Sequence, residues 1–157
     1  MRWRRKRNME VKIKKTHPNA VTPFKTYGKD FCYDCVATSC EELAPNVYKY
    51  RLGLAFEINR EGKYSGLNLA LDFRPRSSVW ETGMSLSNCE GTIDELFRGE
   101  VSAVFYHIFP NMPKYEVGDK VVQFKLGITE PLTFKEVDEL SETERGSNGY
   151  GSTGKKG

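Results

Sequence analysis

Apolar and polar residues alternate with a period of two in short runs along most of this chain. Glu10-Val11-Lys12-Ile13-Lys14 opens the pattern and predicts a strand over 11–13, closed by the turn-prone His17-Pro18-Asn19. Residues 47–50 and 52–58 form two further β-rich runs, followed by a polar turn at 59–62. Residues 67–73 alternate until Pro75 ends the ladder. Runs 77–86 and 101–109 are β-prone, and the polar stretch 94–99 between them reads as a hairpin turn. A turn at 116–119 leads into a last strand over 120–126, and only 136–144 has a helical look. Many short strands and almost no helix predict an all-β single domain. Periodicity does not choose between a sandwich and a barrel.

The length of 157 residues suits one domain with a moderate core. The sequence holds no apolar run long enough for a membrane span and no signal-peptide core, so a cytoplasmic location is expected. The net charge is +3, and the excess is local. Arg2, Arg4, Arg5, Lys6, Arg7, Lys12, Lys14 and Lys15 face a single acid, Glu10. A nucleic-acid arm is one reading of this run; a disordered leader over 1–10, with Met9 as an alternative start, is preferred. Cys32-x-x-Cys35 suggests zinc, but Cys40, Cys89, His17 and His107 do not supply matching partners. Reduced thiols packed in a strand are the expectation, with no structural metal.

Candidate chemistry gathers at four places. Arg74-Pro75-Arg76-Ser77-Ser78 sets two guanidinium groups beside two hydroxyls, which suits an anion. Residues 91–100, GTIDELFRGE, bring Asp94, Phe97 and Arg98 close together on a turn, where sites tend to be built. Asp34 sits between Tyr33 and Cys35. Residues 145–154, RGSNGYGSTG, are too rich in Gly and Ser to make a core and read as a flexible tail.

These words also resemble, in order, the five motifs of the trimeric dUTP pyrophosphatase (dUTPase) family. DFCYDCVAT at 30–38 is similar to the first, GYDLxA, with Cys32 and Cys35 in place of glycine and leucine. PRSS at 75–78 resembles the second and GTIDELFRGE the third, GTIDxxYRGE, with Phe97 where the family has tyrosine. GDKVVQF at 118–124 resembles GDRIAQL, and RGSNGYGSTG resembles RGxGGFGSTG, with Tyr150 replacing phenylalanine. The resemblance covers about 11–154 and implies a distorted jelly roll (β-clip) assembled as a homotrimer, with each active site shared between subunits. It divides the chain into the 1–10 leader, a β domain over 11–135, and an arm over 136–157 that closes on an active site.

The same resemblance implies hydrolysis of dUTP to dUMP and pyrophosphate. Asp94 would take a proton from the water that attacks the α-phosphate. Arg76, Ser77, Ser78 and Gln123 would hold phosphates, joined by Arg145, Gly151, Ser152 and Thr153 of the arm. Mg²⁺ would ride on phosphate oxygens and waters with no direct protein ligand, and Asp34 would orient one of those waters. Asn88 and the backbone of Gly91, Thr92 and Ile93 would read uracil. Phe97 would exclude a 2′-hydroxyl, and Tyr150 would stack on the base. A dCTP deaminase is the nearest rival, but its catalytic Glu would fall seven residues after Phe97, at Val104. A regulatory or nucleic-acid-binding protein on the same fold is the alternative from another class.

Overall fold

Alternating β-branched, aromatic and leucine positions give most of the strands a face to bury, and three sheets result. The computed structural model describes residues 9–60 and 64–154, so residues 1–8 of the expected 1–10 leader lie outside the described residues, while Glu10 already belongs to the first strand. The strands are β1 (Glu10–Lys15), β2 (Tyr33–Val36), β3 (Ser39–Ala44), β4 (Val47–Arg51), β5 (Leu54–Asn59), β6 (Asn68–Pro75), β7 (Met84–Leu86), β8 (Gly91–Asp94), β9 (Ser102–His107) and β10 (Lys120–Thr129). One four-stranded sheet runs β2-β10-β6-β8, another β3-β4-β9-β7, and β1 pairs with β5. All the pairings are antiparallel.

The core lies between these sheets. Tyr50, Leu52, Leu54, Phe105, Val121 and Val122 are fully buried. Phe73 stacks on Phe124 at 4.8 Å between ring centres, and Phe56 packs edgewise on Phe124 at 5.7 Å. Each such ring contributes about 1.5–3 kcal/mol by burial. Tyr50 keeps its hydroxyl satisfied inside by donating to the Tyr115 carbonyl at 2.7 Å. Burial, with Cys40 close by, pushes its phenol well above the usual range.

Three local expectations change. The 77–86 run is not one strand: Ser77–Thr82 forms a 3₁₀ helix, closed at Gly83, and only β7 follows. Gly83 adopts φ +64°, and a Cβ there would meet the Phe109 carbonyl oxygen at 2.7 Å, so no larger residue fits this turn. Secondly, no helix forms over 136–144; residues 128–154 are exposed throughout, with nothing for a helix face to pack on.

The third change concerns the centre of the chain. Residues 94–99 do turn, with the Phe97 N–H donating to the Asp94 carbonyl at 3.0 Å. The strands on either side do not pair with each other, however. β8 pairs with β6, while β9 pairs with β4 and β7. The turn is a crossover between two sheets rather than the tip of a hairpin. Backbone bonds from Leu52 to the Val101 carbonyl (3.1 Å) and from Val101 to the Leu54 carbonyl (2.9 Å) tie the crossing to the core.

Candidate active site

The strand register brings three of the predicted residues side by side. Gln123 on β10 pairs with Asp34 on β2 on one side and with Arg74 on β6 on the other. Across neighbouring strands this places Asp34, Gln123 and Arg74 on one face. Arg76, two residues past Arg74 where β6 has ended, returns to this face. Its Nε donates to Asp34 Oδ1 at 2.9 Å, and its Nη1 lies 3.4 Å from Ser78 Oγ. Lys120 Nζ reaches the other oxygen, Asp34 Oδ2, at 3.4 Å.

A cleft of about 570 Å³ opens here, lined among others by Thr26, Tyr27, Asp34, Arg76, Ser77 and Gln123. Gln123 is steered by its own amide, whose Nε2 donates to the Pro75 carbonyl at 3.0 Å. Ser78 faces a second cleft on the far side of Arg76, beside Tyr115 and Lys120. The guanidinium thus borders two open spaces. Asp34 is the most shielded of the charged groups here, with 13% of its side chain exposed. It holds two cations in place without covering them, an arrangement chemically suited to an anion. A separate apolar groove along Val11, Ile13, Phe56 and Leu126 holds none of the predicted site residues.

Asp94 does not join this cleft within one chain. It pairs with Ala70, four residues before Arg74 on β6, so it stands about 13 Å from the arginine along the strand. Its side chain and that of Phe97 are exposed, Phe97 by 46%. The Phe97 ring folds back over Gly99; a Cβ on Gly99 would come within 2.5 Å of its Cζ. Asn88, Gly91 and Ile93 line a small recess of about 20 Å³ against Phe73 and Val122. The Asn88 amide nitrogen lies 3.3 Å from where a Gly91 Cβ would be, so glycine is what lets it settle there. Thr92 points to the other face, its hydroxyl 3.3 Å from Asp72 Oδ1.

The arm forms a third group. Arg145, Tyr150, Gly151, Ser152 and Thr153 are exposed and apart from the other two, in a string of turns. Arg145 Nε donates to the Asn148 carbonyl at 2.9 Å, and Tyr150 stands wholly in solvent. Sequence reasoning passed over Lys120 and Thr26 in the cleft. Lys120 had a signal, since it is the basic residue of the GDKVVQF word. Thr26 is placed by the bridge between Phe24 and Asp34, which lie in separate segments.

A three-sheet β domain with a charged, open cleft and a detached carboxylate turn has close structural counterparts. The dUTPase of Staphylococcus bacteriophage 80alpha, a variant solved with dUpNHpp, matches with a TM-score of 0.73 at 20% identity, over 92% of this chain and 98% of that one. A dUTPase variant from phage phi11 of S. aureus, which coordinates a structural Mg(II) ion, matches with a TM-score of 0.64 at 17% identity, over 85% of this chain and 99% of that one. These matches establish the all-β dUTPase fold. No protein-family model matches the chain. Among curated relatives, the deoxyuridine 5′-triphosphate nucleotidohydrolase of Clostridium novyi is 32% identical over 93% of this chain and 99% of its own length. That of Helicobacter pylori strain P12 is 32% identical over 93% and 97%. The chain belongs to the deoxyuridine 5′-triphosphate nucleotidohydrolase family.

Proposed function

We propose that this chain hydrolyses dUTP to dUMP and pyrophosphate, removing dUTP from the nucleotide pool and supplying the precursor of dTMP. The observation that carries this is the Asp34–Arg76–Lys120 cluster. It is a fixed pair of cations at the mouth of a polar cleft, built by the same residues that the family motifs supply.

Arg76, Ser77 and Ser78 hold the triphosphate, and Gln123, oriented by Pro75, holds a phosphate oxygen or a water. Asp94 takes a proton from water as its oxygen bonds to the α-phosphorus; the bond to the bridging oxygen breaks and pyrophosphate leaves. Asn88 and the backbone over 91–93 read the uracil edge. Phe97 lies under the deoxyribose and leaves no room for a 2′-hydroxyl. Phenylalanine keeps the flat face of the family's tyrosine and lacks only its hydroxyl.

The gap between Asp94 and the cleft supports a site shared between chains. In a homotrimer one subunit brings the phosphate cleft, a second the Asp94 turn, and a third the arm. Arg145, Gly151, Ser152 and Thr153 then close on the phosphates and Tyr150 stacks on uracil. Mg²⁺, bound to phosphate oxygens and water, would neutralise charge on the substrate. Both oxygens of Asp34 already face cations, which suits contact with such an ion through water rather than a direct bond. A cytoplasmic setting fits the four free cysteines, Cys32, Cys35, Cys40 and Cys89. Among the described residues, no helix is long and apolar enough to cross a membrane.

Pyrophosphate release measured with dUTP, dTTP, dCTP and UTP tests the reading. The parent should prefer dUTP, and Asp94→Asn should lose about 10²–10⁴-fold in turnover while still binding dUTP. Equal use of the four nucleotides, or parental turnover by Asp94→Asn, would refute it.

A further inference from the structure

Asp94 and Phe97 stand on a turn that burial does little to hold. Leu96 at its tip is 84% exposed. Polar ties must therefore set its shape, and the strongest comes from a distant part of the chain. Arg60, just past β5, sends Nε to Glu95 Oε1 at 2.9 Å and Nη2 to Glu95 Oε2 at 2.6 Å, a two-pronged contact. The same guanidinium donates from Nη1 to the Tyr64 carbonyl at 2.7 Å and from Nη2 to the Leu67 carbonyl at 2.6 Å. One side chain thus joins both ends of the connection between β5 and β6 to the residue beside Asp94. Arg98 completes the wrap from within, with Nη1 2.7 Å from the Glu95 carbonyl.

We propose that Arg60 is a positioning residue, holding the 94–97 turn so that the Asp94 carboxylate and the Phe97 ring stand at fixed places before substrate arrives. This rests on the proposed roles of Asp94 and Phe97. Arg60 is itself partly exposed, and such pairs add little to global stability. Its effect falls on geometry, where a misplacement of about 1 Å can cost about 100-fold in rate. The Arg60 fork also holds the Glu95 carboxyl below its usual range, so the tie stays charged further into acid than a free carboxylate would. Arginine is the residue for this work, because a lysine cannot grip both carboxylate oxygens and two carbonyls at once.

Steady-state kinetics on the full chain provide the test, with Arg60→Ala, Arg60→Lys, Glu95→Gln, the Arg60→Ala/Glu95→Gln double variant and Asp94→Asn. Arg60→Ala should lower kcat by about tenfold or more, leave KM for dUTP within about twofold, and narrow the preference for dUTP over UTP. Arg60→Lys should recover part of the loss, and the double variant should be little worse than either single one. Melting temperature and assembly should stay near the parent's. Parental kcat in Arg60→Ala, with Asp94→Asn slow, overturns the proposal and leaves the assigned base standing. Loss of activity only in step with loss of folded protein also overturns it, by making Arg60 merely structural. Parental turnover in Asp94→Asn removes the base and the proposal together.

Discussion

Asp34→Asn separates the roles of the cluster at the cleft. The substitution keeps shape and one acceptor oxygen but removes the charge that faces Arg76 at 2.9 Å and Lys120 at 3.4 Å. The lysine contact is long and its side chain is one-third exposed, so it contributes little. The arginine contact is a charged hydrogen bond, worth roughly 1.5–3 kcal/mol when shielded. Discounted for the 27% exposure of Arg76, the loss is about 1–2 kcal/mol, or a fall of roughly 2–8 °C in melting temperature. The same energy, if spent on aligning phosphates and water in the transition state, lowers kcat about 5–30-fold. Binding should behave differently. The cleft sheds a negative charge and keeps both cations, so KM for dUTP should hold or fall. Steady-state kinetics over a Mg²⁺ series, beside a thermal melt, read all three quantities. A raised KM with parental kcat would refute the view that Asp34 arranges the cleft rather than attracts substrate.

Other consequences follow from the same geometry. Gly99→Ala places a methyl 2.5 Å from the Phe97 Cζ, so the half-exposed ring must swing away; the ratio of kcat/KM for dUTP over UTP should drop several-fold, and an unchanged ratio would remove Phe97 from sugar recognition. Deleting residues 145–157 should abolish most turnover while leaving the melt unchanged, since the described ones, 145–154, are all exposed. Cleavage near Arg145 should slow when a non-hydrolysable dUTP analogue and Mg²⁺ are present, and equal cleavage would argue against closure. The Glu100 carboxyl is held below its ordinary 4.5 chiefly by the Thr16 hydroxyl and then by Arg51. Its contribution to stability is therefore complete above 4.5 and lost as pH falls through the lowered value. Urea midpoints of Glu100→Gln should fall below the parent's at neutral pH and converge with it on the acid side; a constant gap would show that protonation is not involved.

Alternation and β-rich runs in the sequence located β4, β5, β6, β9 and β10; β6 and β9 bury one face more deeply than the other, while β5 is buried along both. They missed β3, whose residues Ser39–Ala44 bury no face fully and so carry no period. Val79 and Trp80 look β-prone, yet the chain leaving Pro75 curls into a 3₁₀ helix that carries Ser77 and Ser78 beside Arg76. The motif words marked Asp34, Arg76 and Gln123, and pairing of β2, β10 and β6 brought them together. Pairing itself is where local pattern stops being informative. Whether the strand after Asp94 returns to its neighbour or crosses to another sheet depends on partners dozens of residues away. The grip of Arg60 on Glu95, spanning 35 positions, is hidden for the same reason.

The Asp34–Arg76 cleft and Asp94 stand at opposite ends of β6, so damage to one spares the other. A chain carrying Arg76→Ala keeps a sound turn, and one carrying Asp94→Asn keeps a sound cleft. If sites form between chains, two such inactive genes expressed in one cell would complement each other, since some mixed assemblies would unite the sound halves. Activity would then be inherited as a property of the mixture, and a lone defective allele would silence only a fraction of the sites it enters.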